Sequence, residues 1–493
     1  LITGSQTLFG IKTELKFGRL TVTSIFSQER GERKEINVAG GSQITQYEKP
    51  ASEYDENKHY FLSHFFRDRY EAALNRLPLI SSTVQINKVE VWITQTGGQY
   101  QNTRNVIAFH DLGENAPYII DDDVISDDTR IPEASNYTNT LYANLTNPAA
   151  AGWDTAALRS FTGALEELEE WGLENGRSFE KKEALALLSP SEYTLNRELG
   201  YISLNRALNT DEVLGVAFQY TVNGRTFQVG EFSNDGVQGQ NALYLKLLKA
   251  QINHVDIPMW DLQMKNVYSL GAFNVNSEDF SFEIWYLNPE TGIEVPYIAE
   301  GPIDGKLLLQ VTRLDQVDPN NSRFQDGVFD FLPGITINPN NGRVYFPVLE
   351  PFGSHLKSQL IDPELQEKYA FDSLYSTTRI NAEQDADHNR FVLRGQYQSA
   401  SSSEISLNAF NIPQGSVTVT AGGIRLVENQ DYTVDYNLGR VKILNEGLLE
   451  SGTPIKISLE SNSLFNIQTR TLMGSHLDYR IDENLRFGGT ILN

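Results

Sequence analysis

The sequence predicts a β-rich chain in which two amphipathic hairpins bracket a large mixed α+β middle. Three observations carry this reading. Apolar and polar residues alternate strictly near both ends, no run of about 18 apolar residues encodes a membrane-crossing helix, and turn-flanked apolar segments are interleaved with helical periods in between. A length of 493 residues suits about three domains, and a composition 40% hydrophobic and 11% aromatic is enough to build cores.

At the N-terminal end Phe9, Ile11, Leu15 and Phe17 share a face with Thr13, while Gly10, Lys12, Glu14 and Lys16 share the other. A Gly18-Arg19 turn leads to Leu20, Val22 and Phe26, and the pattern dissolves in the polar run from Gln28 to Glu35. The other end mirrors this. Met473, Leu477, Tyr479 and Ile481 alternate with Gly474, His476, Asp478 and Arg480; after an Asp482-Glu483-Asn484 turn, Leu485, Phe487 and Ile491 alternate with Arg486, Gly488 and Thr490. Outer-membrane barrel strands and the hairpins of a soluble sandwich are both written this way, and alternation alone leans to the sandwich because each strand's signal is weak.

The middle reads as follows. A helix is predicted over 57–77, with Phe61, Leu62, Phe65, Phe66 and Leu74 on one face and Pro78 ending it. Strands are predicted at Val84 to Ile93 and Val106 to Phe109, around a Gly97-Gly98 turn. Helices are predicted over 154–174, Phe179 to Leu188 and Asn241 to Ile252, and from Asp362-Pro363-Glu364, where a cap residue precedes a first-turn proline. Three stretches repeat one pattern: Tyr193 to Asn205, Thr336 to Phe346 and Tyr432 to Asn445 each run strand, Asn/Asp-to-Gly turn, strand.

The chain holds 40 Lys and Arg against 64 Asp and Glu, a net charge of −24 that repels nucleic acid and anionic headgroups over most of the surface. With no Cys, disulfides, thiolate zinc sites and cysteine nucleophiles are excluded. His59 and His64 stand five apart, the wrong spacing for one helical face, and neither a G-x-S-x-G elbow nor a phosphate-binding loop occurs. A glycosidase carboxylate pair has no distinguishing signature among so many acids. No cofactor is expected, with calcium the one ion considered: Asp121, Asp122 and Asp123 with Asp127 and Asp128, and Asp315, Asp318, Asn320, Asn321, Asp326 and Asp330, cluster oxygen ligands without the EF-hand order. In the run Phe282 to Leu287 apolar residues occupy both faces of a predicted strand. That favours a buried central strand, with Trp285 and Tyr286 as candidate partner-docking residues if the strand is exposed.

Longer runs add a resemblance. Leu8 to Gly18, Ser27 to Gly31, Pro258 to Tyr268, Asp326 to Phe331 and Gly342 to Gly353 resemble the SprA/Sov family, the outer-membrane translocon of the Bacteroidetes type IX secretion system. The resemblance implies a very large single-chain barrel that exports folded proteins and supports gliding motility. It names as partners a PorV shuttle barrel, a plug protein, outer-membrane lipid and cargo with carboxy-terminal signals, and it carries over no catalytic residue. Family members are much longer, and since the sequence opens at Leu1 without Met or a charged-then-apolar leader and stops at Ile491-Leu492-Asn493 inside an apolar alternation, it is expected to be an internal segment. The competing class is a surface carbohydrate-binding or adhesive protein.

On that resemblance the fold class becomes transmembrane β-barrel hairpins at both ends flanking a large extracellular α+β insertion of several subdomains. The expected divisions are a barrel hairpin over 1–38, an α+β cap subdomain over 39–190, a β-rich cap subdomain over 191–354, a helix plus β-hairpin subdomain over 355–467, and a barrel hairpin over 468–493. Phe9, Ile11, Leu15, Phe17, Met473, Leu477, Ile481 and Phe487 are expected to face lipid, and Lys12, Glu14, Lys16, Asp478 and Arg480 the lumen. Short turns face the periplasm in such barrels, so the middle is expected outside the cell. A pore for folded cargo is expected to keep its walls and cover hydrated and negative, so that cargo does not stick.

Overall fold

The computed structural model describes residues 8–30, 32–38, 43–94, 102–128, 130–147, 155–272, 275–399, 404–407, 412–444, 455–461, 469–482 and 485–492. Strands hold 38% of the chain against 15% in helices, so the β-rich expectation stands, and no described helix is long and apolar enough to cross a membrane. The chain divides into two compact units, residues 46–396 and residues 1–45 with 397–493.

Residues 46–396 are built around a small closed barrel of five strands, drawn from both sides of residue 190. Leu214–Val222 pairs with Val84–Ile93 and with Leu243–Lys249, which runs parallel to Thr103–Phe109. Thr103–Phe109 pairs with Phe179–Leu187, and that strand closes the ring through Trp92↔Leu187 and Ile93↔Ala186. The helix His64–Ala73 lays Phe65 and Phe66 against Phe218 and Tyr220 at ring separations of 5.0 to 5.6 Å.

Two predicted helices are strands of this barrel. In Leu243–Lys249 every residue is buried, so no period of two survives to be read; Lys246 and Lys249 mimic a helical polar face but are themselves buried, with Lys249 Nζ donating to the Thr210 and Glu212 carbonyls at 2.8 Å. In Phe179–Leu187 the register slips opposite Arg104 to Val106 and Ala184 takes φ +50°, an irregularity that breaks the alternation in a segment rich in helix formers. The helix predicted over 57–77 is shorter, because His59–Phe61 forms a strand first. The one predicted over 154–174 is two helices, Thr155–Arg159 and Ala164–Glu170, meeting where a Cβ at Gly163 would lie 3.2 Å from Ala157. Pro363–Tyr369 starts as expected, with Asp362 accepting from the Glu364 N–H at 3.0 Å. The Gly97-Gly98 turn lies outside the described residues.

The three repeats are hairpins of one design. Tyr193–Asn196 with Tyr201–Leu204, Ile337–Asn338 with Arg343–Tyr345, and Tyr432–Asp435 with Arg440–Ile443 are each closed by a four-residue loop. The last paired residue before each loop, Asn196, Asn338 or Asp435, turns its side-chain oxygen onto a loop N–H at 2.9 to 3.1 Å. The loop ends on Gly200, Gly342 or Gly439 at φ +57° to +68°, a conformation other residues adopt only at a cost. In each case the second strand also pairs with an upstream strand, His59–Phe61, Val267–Ser269 or Glu404–Ser406, giving three sheets of the same order.

In the other unit the chain's two ends form a single four-stranded antiparallel sheet. Its order is Leu8–Phe17, Leu20–Arg30, Thr469–Arg480, Arg486–Leu492, the first, second, penultimate and last strands. The second and penultimate strands stay in register from Leu20↔Tyr479 to Arg30↔Thr469, so everything from 31 to 468 is inserted at the end of the sheet opposite the Gly18-Arg19 turn. Beyond that end the two chains continue as the paired strands Glu32–Val38 and Ile455–Ser461. These belong to a small β-domain whose core includes Ile405, Val419, Tyr432, Val441 and Ile457.

Candidate membrane-facing sheet

Residues directly opposite in an antiparallel pair share a face, so the register sorts the terminal sheet without ambiguity. On one face lie Ile11, Leu15 and Phe17; Leu20, Val22 and Phe26; Met473, Leu477 and Tyr479; and Phe487 and Ile491. On the other lie Lys12, Glu14 and Lys16; Thr21 and Thr23; His476, Asp478 and Arg480; and Arg486 and Thr490. Ile25 is the large apolar exception on the charged face among the described side chains. Thus both alternations, written more than 450 residues apart, are brought into phase. Phe9 lies in the first strand with its side chain outside the described residues, as do Glu483 and Asn484 of the second turn. Ile481 sits past the penultimate strand, its N–H donating to the Leu485 carbonyl across that turn at 3.0 Å.

The apolar face is bare: Ile11 is 53% exposed, Phe17 63% and Phe487 60%. A sheet of four strands that exposes an apolar face this wide is unfavourable in water, since each buried Leu or Phe side chain is worth about 1.5–3 kcal/mol. The rows of this face are ordered. At the short-turn end Phe17, Leu20, Tyr479 and Phe487 form an aromatic-rich row, and Leu15, Val22 and Leu477 come next. Then Thr13, Ser24 and Ser475 follow, where the Ser24 and Ser475 hydroxyls satisfy each other at 2.8 Å. Ile11, Phe26 and Met473 complete the band before Gln28 and Thr471. From Phe9 to Phe17 is about 27 Å along the strand, or about 20 Å at the tilt of a membrane barrel. Aromatic rows at the rim of an apolar band mark the membrane–water boundary. Sequence patterning showed the faces but not the row, because Tyr479 meets Leu20 and Phe487 only through the register.

On the charged face Lys16 and Glu14 pair at 3.2 Å, and His476 Nδ1 lies 2.8 Å from the Thr490 hydroxyl. Elsewhere the structure brings Tyr286 into the core at 3% exposure against Tyr369 and Phe391, with Phe282 and Ile284 on the same buried face. Trp285 faces the other way, half-buried, and donates to Glu283 at 2.8 Å. The surface left to a partner on this strand is therefore Trp285, not Tyr286. The acidic loops use their carboxylates locally: Asp315 accepts from the Asp326 and Gly327 N–H groups, Asp330 from those of Gln316 and Val317, and Asp128 pairs with Arg130. Among the described residues no cluster of three His, Asp or Glu is arranged to hold a metal ion.

A Ser203–His59–Asp55 chain does have the residue types of a hydrolytic triad, with contacts of 2.7 and 3.1 Å, and Ser203 lines an open groove of about 470 Å³. It acts as a tie. Burial raises the Asp55 carboxyl, but His59 and Arg343, whose Nε donates at 2.6 Å, hold it well below the usual carboxylate range. His59 is wholly buried and its pKa is pushed down by desolvation. The network fastens the Arg343–Tyr345 strand to the His59–Tyr201 sheet.

Residues 2–99 match the SprA_N family model, described as a motility related/secretion protein. Over these residues the chain is similar to the SprA family. No curated protein matches it. The matched residues include the first two strands of the terminal sheet and the helix and first barrel strand of residues 46–396. A β-rich fold with no membrane-crossing helix among the described residues is compatible with an outer-membrane protein.

Proposed function

We propose that the chain is part of an outer-membrane β-barrel through which proteins are exported, the terminal sheet being an arc of its wall. The observation that supports this most directly is the register: four strands, three of them of membrane-crossing length, align the large apolar side chains, Ile25 excepted, on one uncovered face. The outer two strands also leave their far edges unpaired among the described residues, and in lipid an unpaired edge is not tolerated, so further strands must continue the arc on both sides. Short turns then mark the periplasmic side, and residues 31–468 leave and return at the outer rim. In this reading the family resemblance supplies the cargo, proteins with type IX carboxy-terminal signals, and the partners, a PorV shuttle barrel and a plug protein.

Protease added to intact cells tests this. Cleavage within 46–396 before the outer membrane is permeabilised is the expected result; cleavage only afterwards would place this region in the periplasm and overturn the proposal. Deleting the chain should also strand cargo in the periplasm.

A further inference from the structure

The charged face of the terminal sheet departs from the rest of the molecule. It carries Lys12, Lys16, Arg480 and Arg486 against Glu14 and Asp478, with Arg19 in one adjoining turn and Asp482 and Glu483 in the sequence of the other. The chain as a whole has a net charge of −24. A wall meant only to repel would not be basic, so this face is an exception to the mostly negative surface expected of the chain.

The cations are also arranged. Arg480 stands directly opposite Arg486, and its backbone N–H donates to the Arg19 carbonyl at 2.8 Å, so three arginines form one row over two strands and the turn beside them. Arg19 spends an N–H on the Ile481 carbonyl and Arg480 one on the Asp482 carbonyl, neutral acceptors that leave the charge in place. Like charges directly opposite in a sheet destabilise it unless an anion lies between them. Guanidinium forks bind carboxylates in pairs, which selects that anion's chemistry. Lipid is disfavoured as its source, because Arg480 and Arg486 project from the face opposite the apolar one. Lys12 and Lys16, the latter paired with Glu14, stand about 13 Å apart on the first strand, and a face of this length suits an extended acidic peptide better than a single headgroup.

We propose that this face is a docking strip for an acidic polypeptide segment, anchored at the row Arg19, Arg480 and Arg486. The proposal rests on the reading that the apolar face is the lipid-covered one. The test uses the intact protein purified in detergent, its assembly verified by heat-modifiable mobility, and a fluorescein-labelled poly-glutamate of about ten residues read by anisotropy. The wild type should bind at low ionic strength and lose the peptide at about 0.5 M salt. Combined Arg19→Gln, Arg480→Gln and Arg486→Gln should weaken binding about tenfold, at three exposed pairs of modest strength each. Asp478→Asn, which removes a competing acid, should tighten it, and this variant carries the test if the triple substitution does not assemble. Unchanged binding in both variants overturns the proposal. So does loss of affinity for phosphatidylglycerol nanodiscs, with peptide binding intact, since it would assign the arginines to lipid. If Ile11→Arg blocks assembly while peptide binding ignores the arginines, the docking strip fails and the membrane reading stands.

Discussion

Residues 46–396 carry 27 Lys and Arg against 50 Asp and Glu, whereas the residues flanking them carry 13 against 14. The acidic region hides its large apolar side chains: Trp92, Phe109, Phe218 and Tyr244 are all at most 1% exposed. The terminal sheet hides almost none of its own and sets them in rows. One region thus closes its apolar side chains into a core, and the other leaves them on an open face. The difference teaches that alternation reports only which face differs from which. What covers the face is decided by whether the chain supplies a second layer.

The comparison breaks first in the acidic region if its buried charges are dispensable. Glu114 is 1% exposed, lies 2.8 Å from Lys246 Nζ and 3.1 Å from His64 Nδ1, and Lys246 also donates to the His110 carbonyl. Burial alone would raise its carboxyl, but the charges of Lys246 and His64 bring it down to about 2. Glu114→Gln leaves Lys246 buried without its counter-charge and should cost about 3–5 kcal/mol in urea unfolding. Because the folded value lies below the unfolded one, the stabilisation from this carboxylate is complete above pH about 4.5 and is lost as pH falls toward about 2. The variant should lack that part of the acid limb.

In the terminal sheet, Ile11→Arg should destabilise assembly by about 2–4 kcal/mol if the position lies near mid-bilayer, and Lys12→Ser by little. Assembled fraction in outer-membrane extracts reads both, and equal tolerance would return the hairpins to a soluble sandwich. The glycines sharpen the contrast at smaller cost. Gly18 and Gly200 both have φ above +60°, but a Cβ at Gly18 meets nothing within 4 Å, whereas one at Gly200 would fall 2.3 Å from Phe66. Gly18→Ala should cost about 1 kcal/mol and Gly200→Ala about 2–3 kcal/mol by thermal melting. The smallest effect belongs to Glu14→Gln, which breaks an exposed pair worth less than about 0.5 kcal/mol.

How far the sequence reaches depends on the same contrast. The terminal strands were legible because one face alternates cleanly, and the repeated hairpins because Asn or Asp and Gly stand at fixed places in a four-residue loop. The barrel strands Phe179–Leu187 and Leu243–Lys249 were not. Their side chains are sealed on both faces or displaced by an irregular register, and Lys246 and Lys249 present charges where strand logic expects none. Closure of that barrel pairs residues as distant as Val84 and Val222, which no local window sees. On the candidate surface the apolar and charged sets could be read from each strand singly, but the arginine row and the aromatic row exist only across strands.

The absence of cysteine allows one direct test of the central claim, that the first strand has lipid on one side and water on the other. Single cysteines are placed at residues 11, 12, 14, 15, 16 and 17, and outer membranes containing the intact protein are treated with a water-soluble maleimide. The account predicts labelling at 12, 14 and 16 and protection at 11, 15 and 17 until the protein is unfolded in detergent. Labelling of 11, 15 and 17 as readily as 12, 14 and 16 in intact membranes would contradict it.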